Sequence, residues 1–311
     1  MNNSIRIIIN ADDLGFSPRV NSAILRGAER GTVTAASMMV NMPFAEEAFA
    51  QVQERVPQLS LALHFTLTSG KPVSPPQEVP LLVDADGLFR LSFPKLWRCL
   101  TAEVRPALLA QIETELSAQL RLMNQLSEKY QCRFDHLDSH QHVHVLPGIW
   151  ALLQQEAMKR CLPLRVPRER WGTLTRCYRR GWSWFPQGLL KQMILNRCLR
   201  TVSQEIGYFG ILETGRMGTS ALRAIFQSIL QNSATDSYEI NTHPSALSET
   251  KNDAVCCSEA DKQFHGSLWR EKEFQALNCD DIIQWSQQYD ITLTGFSDAS
   301  VDNRRDFANS T

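Results

Sequence analysis

Residues 5–13 read IRIIINADD and give the first indication of the fold. Isoleucine fills most of the first five positions, which is typical of a strand buried on both faces. Apolar residues then recur at helical spacing from Pro18 to Glu29. The chain therefore opens with a β-α unit, and two adjacent carboxylates, Asp12 and Asp13, follow its strand. In an extended chain these two side chains point in different directions.

The same alternation of strand and helix continues along the chain. Strands are predicted at residues 34–40, 59–65, 134–137, 162–166, 207–212, 238–242 and 291–294, and helices at 44–56, 102–130, 147–158 and 221–230. Such alternation indicates a parallel sheet wrapped by helices. We predict an α/β fold, a distorted (β/α) barrel of TIM-like type with seven or eight mostly parallel strands.

We see no boundary that divides the chain. We predict one barrel domain over residues 1–300, with insertions at about 70–100 and 168–200. The polar residues 301–311 are expected to form a flexible tail.

The bulk composition limits the classes of function. A chain of 311 residues with 43% apolar and 21% charged residues can bury a full-sized core. A formal net charge of −1 gives no global attraction to nucleic acid, so we predict no nucleic-acid partner. No stretch approaches the roughly 20 apolar residues of a membrane span, and we expect a cytoplasmic protein with reduced cysteines. The composition leaves a homodimer open.

Several chemically versatile side chains fall at predicted strand ends, where barrel enzymes place their active sites. They are Asp12, Asp13, His64, His140 and His243. Each motif alone has an ordinary explanation, because Asp-Asp-x-Gly also suits a turn and a single buried histidine is more often a core residue. Their convergence favours a site for a divalent cation.

Residues 136–144, which read HLDSHQHVH, strengthen that interpretation. An extended chain would place the alternate residues, four histidines and Asp138, on one face. So many titratable groups are costly to bury without a cation or solvent. The spacing does not show which imidazoles are ligands, and Asp138 is a candidate for fixing a histidine tautomer. Arg165, at the end of a predicted strand, is a candidate partner for a catalytic carboxylate that it would hold ionised.

These motifs resemble those of the YdjC-like carbohydrate deacetylases. The matching stretches are residues 10–15, 31–37, 63–72, 136–144 and His243-Pro244. Residues 83–89, 210–217 and 269–277 look more like the branch associated with hopanoid biosynthesis. The resemblance covers the chain from its first strand to about Leu277, and it also implies a distorted β/α barrel.

The resemblance implies a set of roles. Asp13, His64 and His140 would bind one divalent metal ion, Mg²⁺ or Zn²⁺, with Asp12 as general base and His243 as general acid. The implied reaction removes an N-acetyl group from an N-acetylglucosamine-type sugar, including one carried on a hopanoid glycolipid. Candidates for substrate binding or for support of the ligands are Asp138, His142, His144 and Arg165.

Two alternatives remain open at this point. Another metal-dependent hydrolase, such as a phosphoesterase, could use the same barrel, and a metal-binding protein could have lost catalysis.

Residues 165–200 carry nine Lys or Arg residues against one acid, Glu169, with aromatic residues between them. This segment is either a helical excursion packed on the barrel or a lid for an amphiphilic substrate, with peripheral membrane contact.

Overall fold

The structure is a computed structural model, and it describes residues 5–169, 185–214, 216–231, 235–248 and 259–299. The predicted tail at 301–311 and residues 170–184 of the second predicted insertion lie outside the described residues.

The described residues form one parallel sheet. Its strands are β1 (Ile5–Leu14), β2 (Ala35–Met38), β3 (Ser60–Phe65), β4 (Phe134–Ser139), β5 (Gly207–Phe209), β6 (Ser237–Thr242) and β7 (Ile291–Leu293). The helices are α1 (Pro18–Glu29), α2 (Ala45–Arg55), α3 (Phe93–Leu100), α4 (Arg105–Tyr130), α5 (Ile149–Arg160), α6 (Phe185–Cys198), α7 (Thr219–Gln231), α8 (Glu259–His265), α9 (Leu268–Leu277), α10 (Asp281–Gln288) and α11 (Phe296–Ala299). A 3₁₀ turn, His140–Val145, follows β4.

The strand order is β4-β3-β2-β1-β6-β5, and β7 also pairs with β1. One edge of β1 pairs with β6, whereas its other edge is shared by β7 at Ile5–Ile7 and by β2 at Asn10–Leu14. This arrangement gives a curled half-barrel of parallel strands wrapped by helices, an α/β TIM-like fold. The predicted fold class is therefore confirmed.

Strand β1 is buried on both faces, as the isoleucine run predicted. Ile7 and Ile9 belong to the main hydrophobic core. Ile8 faces the other way, into a small cluster with Ala35 and Phe296. Each fully buried isoleucine contributes about 1.5–3 kcal/mol to the stability of the fold, so β1 stabilises the packing on both faces of the sheet.

Helix α1 has the predicted bounds because its start is encoded locally. The Ser17 side chain accepts a hydrogen bond from the Val20 N–H, and Pro18 occupies the first turn. The helix leads away from the strand end that carries Asp12 and Asp13.

The prediction of a strand over residues 162–166 is wrong. Leu164 forms a single parallel bridge with Leu137, at the outer edge of β4. Pro163 and Pro167 lack the backbone donors that a longer ladder needs. The bridge still matters, because the Arg165 N–H donates to the Leu137 carbonyl at 3.0 Å and fixes the start of the Arg165 side chain.

Helix α4 holds the loop that follows β3. The buried Glu115 carboxylate accepts the backbone N–H groups of Val73 and Ser74, each at 2.9 Å. Gln119, one turn later, accepts from the Thr66 N–H and donates to the Thr66 carbonyl. Residues 66–74, directly beyond β3, are therefore held at both ends by α4.

Among the described residues, no helix combines the length and the apolar character that a membrane crossing requires.

Candidate functional site

The two adjacent carboxylates lie at a bulge in β1. The register of β1 on β2 shifts between Ala11 and Leu14, and Asp13 has φ 74°. Aspartate tolerates this left-handed conformation better than most residues. The bulge brings Asp13 Oδ1 to 3.4 Å and Asp12 Oδ2 to 3.8 Å from His64 Nε2. The chain is not extended at Asp13, so the condition under which the two side chains would point apart is not met.

His64 is oriented by its neighbour on the next strand. It lies beside Asp138 in the β3–β4 register, and its Nδ1 is 2.6 Å from Asp138 Oδ1. A carboxylate on Nδ1 leaves Nε2 directed at Asp12 and Asp13. Burial alone would lower the pKa of His64, but the carboxylates of Asp138, Asp12 and Asp13 outweigh it and raise that pKa to about 10.

His140 reaches the same place from the end of β4. Its Nδ1 lies 2.9 Å from Asp13 Oδ1, and the side chain is buried. Burial opposes its protonation, yet Asp13 and Asp261 raise the pKa of His140 to about 9. In return the His140 and His64 imidazoles hold the pKa of Asp13 well below its usual range, although burial acts the other way.

The alternating pattern in residues 136–144 does not place its members on one face. The strand ends at Ser139, and Gln141 and His142 take left-handed conformations with φ 55° and 58°. His142 consequently faces the Tyr208 hydroxyl, 3.4 Å from its Nε2. At the other end, His136 stacks on Phe296 at 3.7 Å.

The His144 side chain holds the backbone of Arg165. Its Nε2 is 3.0 Å from the Arg165 carbonyl, and its Nδ1 is 2.5 Å from the Ser139 hydroxyl. Burial lowers the pKa of His144 to about 4, so the imidazole is neutral and donates through Nε2.

The Arg165 guanidinium contacts three buried carboxylates. It donates to both oxygens of Asp12, at 3.2 and 3.0 Å, and lies 2.7 Å from Asp138 and 2.7 Å from Glu239. The expected pairing of Arg165 with a carboxylate is therefore present. Burial raises the pKa of Asp12, but Arg165 and the nearby histidines outweigh burial and leave it lowered. Asn241 donates to Asp12 Oδ2 at 2.9 Å, so this carboxylate is ionised and fixed.

His243 lies across from Asp12. It follows β6, and its Nε2 is 3.7 Å from Asp12 Oδ2. Helix α9 holds its backbone, because Arg270 donates to the His243 carbonyl at 2.8 Å and Glu273 accepts from the His243 N–H at 2.7 Å. Burial and the Arg270 charge lower the pKa of His243 to about 3. The His243 imidazole is therefore neutral in this arrangement.

Asp13, His64 and His140 together could hold a metal ion. One potential ligand atom from each lies within 4.8 Å of the others, and all three side chains are buried. Asp13 Oδ1 lies 2.9 Å from His140 Nδ1 and 3.4 Å from His64 Nε2. These separations are close to the distance of about 3.0–3.4 Å between neighbouring ligand atoms on one cation. Within the described part of the chain, His64 Nε2, which faces Asp13 Oδ1, has no hydrogen-bond partner. An unpartnered buried imidazole nitrogen of this kind fits a cation.

A second set, Asp12, His64 and Asp138, meets the same distance criterion. It fits a cation less well, since Arg165 already compensates Asp12 and Asp138 and His64 uses Nδ1 for Asp138.

Six buried residues of the site escaped the sequence analysis: Asn10, Glu239, Asn241, Asp261, His265 and Arg270. A signal existed for four of them. Glu239, Asn241 and His243 alternate along β6 and its end, which is the period that places side chains on one face. Asp261 and His265 are four residues apart, the spacing of one helix face.

Fold and site define a TIM-like α/β protein with a candidate metal centre at the carboxyl ends of its strands. The sequence model of the YdjC-like protein family matches residues 6–288. The chain belongs to that family.

Curated relatives are named as deacetylases. A carbohydrate deacetylase of Thermoanaerobacter pseudethanolicus is 29% identical over 291 residues, which cover 94% of this chain and 98% of that protein. A carbohydrate deacetylase of Brevibacillus brevis is 36% identical over 163 residues, 52% of this chain and 60% of the relative. A chitooligosaccharide deacetylase of Proteus mirabilis is 37% identical over 162 residues, 52% and 59% of the two chains. In the last two, the match spans about three fifths of the relative's length.

A crystal structure from Enterococcus faecalis V583 shares the fold. Its protein, for which cellobiose-phosphate cleavage is proposed, superposes with a TM-score of 0.68 at 22% identity, over 95% of this chain and 98% of that one.

Proposed function

We propose that this protein is a metal-dependent hydrolase that removes an N-acetyl group from an N-acetylglucosamine-type sugar. Family membership and the names of the relatives support a carbohydrate deacetylase. The observation that carries the proposal is the buried set of Asp13, His64 and His140 beside the facing pair of Asp12 and His243.

Asp13, His64 and His140 would hold the cation. Two imidazoles, one carboxylate and no thiolate suit Zn²⁺ and also admit Mg²⁺. When bound, the cation would polarise the acetyl carbonyl and lower the pKa of water.

Asp12 is the proposed general base. Arg165 keeps it ionised, and Asn10 and Asn241 donate to its two oxygens at 2.8 and 2.9 Å. These three partners fix the carboxylate beside the candidate ligands, where it can accept the proton of an attacking water.

His243 is the proposed general acid, and its lowered pKa sets the order of proton transfers. A neutral imidazole has to gain a proton before it can donate one. Asp12 Oδ2 lies 3.7 Å from His243 Nε2, so the two side chains would have to close to hydrogen-bond distance before the water proton passes from Asp12 through His243 to the amide nitrogen. The water oxygen bonds to the acetyl carbon and the C–N bond breaks, which gives a free amine and acetic acid; the acid then loses its proton to solvent and leaves as acetate.

Phosphoester hydrolysis is less well supported. Asp12, Asp13, Asp138 and Glu239 line the site, and Arg165 already faces three of them. These carboxylates would repel a phosphate dianion, whereas they would not repel a neutral acetamide.

A glycolipid substrate, such as a hopanoid derivative, is a narrower version of the proposal. Leu190 and Met193 of α6 are 60% and 54% exposed. Exposed apolar side chains on this segment, for which a lid was one of two alternatives, would suit an amphiphilic substrate or a membrane surface. Flotation with anionic liposomes tests this version: the wild type should float, and Leu190→Ser with Met193→Ser should not.

The test of the main proposal is acetate release from N,N′-diacetylchitobiose and from an N-acetylglucosaminyl lipid, followed by mass spectrometry. We expect loss of one acetyl group with wild type and none with Asp12→Asn. Hydrolysis of a phosphate ester without deacetylation of either sugar would contradict the proposal.

A further inference from the structure

Helix α8 (Glu259–His265) brings two buried titratable side chains to the candidate cation site. Asp261 and His265 are 4% and 7% exposed, whereas Gln263 between them is exposed. Residues four apart share one face of a helix, so α8 turns this pair inward together. Both come from a part of the chain more than a hundred residues beyond His140.

Asp261 faces the far nitrogen of His140. Its Oδ1 lies 3.8 Å from His140 Nε2, while His140 Nδ1 is turned to Asp13. His64 has the same arrangement, with Asp138 on one nitrogen and Asp13 near the other. Each imidazole of the set thus lies between the Asp13 carboxylate and a second carboxylate. Carboxylates in that position fix ring orientation and raise ligand basicity.

His265 faces the far oxygen of Asp13. Its Nε2 lies 3.6 Å from Asp13 Oδ2, and among the described residues neither atom has a hydrogen-bond partner. The ring is held in place by Phe16, stacked at 3.8 Å, and by the edge contact with Phe264 at 5.2 Å. A donor at Oδ2 would keep Oδ1 facing His64 and His140.

We propose that Asp261 and His265 are positioning residues that determine how tightly Asp13 and His140 hold the cation. The proposal rests on the metal-dependent function proposed above. At 3.6 and 3.8 Å the two contacts are longer than hydrogen bonds. Asp261 therefore acts on His140 through its charge, and His265 acts on Asp13 through its position. Neither residue belongs to the set that would bind the ion directly.

The experiment is a Zn²⁺ titration of metal-free protein in competition with a chromophoric chelator at fixed pH. Asp261→Asn removes a charge with little change in shape, and His265→Phe keeps the stacked ring without its nitrogens. We expect each variant to bind Zn²⁺ about 10–100-fold more weakly than wild type, the range for loss of a residue that supports a ligand. Gln263→Ala, on the exposed face of α8, is the matched control and should stay within about twofold of wild type.

Circular dichroism of the metal-free proteins checks folding, and Asp261→Ala replaces Asp261→Asn if that variant does not fold. Wild-type affinity in both Asp261→Asn and His265→Phe would overturn this inference alone. Failure of wild type to bind Zn²⁺ at all would overturn the proposed metal-dependent function, and this inference with it.

Discussion

His64 and Asp138 are register partners on β3 and β4, and His64 Nδ1 lies 2.6 Å from Asp138 Oδ1. The short contact fixes the imidazole so that Nε2 faces Asp13, 3.4 Å away. Arg165, 2.7 Å from the other Asp138 oxygen, keeps that carboxylate ionised. The orientation of a candidate ligand is therefore set by a residue that does not need to touch the cation.

Asp138→Asn should weaken metal binding about 10–100-fold, because the amide is a poorer acceptor for the His64 N–H. Isothermal titration with Zn²⁺ measures the change. Asp135→Asn is the matched control, since Asp135 lies on the same strand and contacts His136 instead of His64. Equal affinities in the two variants would show that the His64 contact is irrelevant to the ion.

Asp12→Asn should separate catalysis from metal binding. Asp12 is the proposed base, and a general base contributes about 10²- to 10⁴-fold to the rate. We expect kcat for deacetylation to fall by that factor. Metal content, measured by inductively coupled plasma mass spectrometry, should stay at the wild-type level. Loss of the metal from Asp12→Asn would mean that Asp12 is a ligand.

Glu273→Gln should impair His243 without touching the candidate ligands. Glu273 accepts the His243 N–H and lies beside the buried Arg270, which holds the His243 carbonyl. Small displacements of a catalytic group reduce rates by up to about 10²-fold, so we expect kcat to fall about 10–100-fold with KM and metal content little changed. Gln275→Ala, on the exposed side of α9, should keep wild-type kcat. A variant that lost metal along with activity would contradict the assignment.

Glu169 should make stability depend on pH. Its buried carboxylate accepts the N–H groups of Gly210 and Ile211, and burial nevertheless raises its pKa to about 7. A raised native pKa means that the folded protein binds the extra proton, so the stabilisation is complete below about pH 4.5 and is lost as pH rises through about 7. The loss is on the order of 3 kcal/mol at most.

Urea unfolding of metal-free wild type and Glu169→Gln at pH 5 and pH 8 measures this effect. The wild type should lose more stability between the two values than the variant, because glutamine does not titrate. Identical losses in both proteins would show that Glu169 is already ionised at pH 5.

The sequence predicted the elements whose signals are local. Ser17 and Pro18 mark the start of α1, and the isoleucine run marks β1, so both were found. The convergence of His64, His140 and Asp13 also follows from parallel strands ending at one edge.

The remaining features depend on contacts that no short pattern records. The left-handed backbone at Asp13 and His142 re-aims side chains that an extended chain would alternate. The return of α8 toward His140 joins residues distant in sequence. The four-residue spacing of Asp261 and His265 indicates one helix face, but it does not indicate which part of the fold that face meets. The low pKa of His243 arises from burial beside Arg270, which neither the motif nor its spacing indicates.

The proposed function requires one divalent ion to bind between β1, β3 and the end of β4. Anomalous diffraction from crystals soaked in Zn²⁺, recorded at the zinc edge, locates that ion directly. We expect one strong peak within bonding distance of Asp13, His64 and His140 in wild type, and no peak there in His64→Ala. A peak bound elsewhere, or none at millimolar Zn²⁺, would contradict the proposed function.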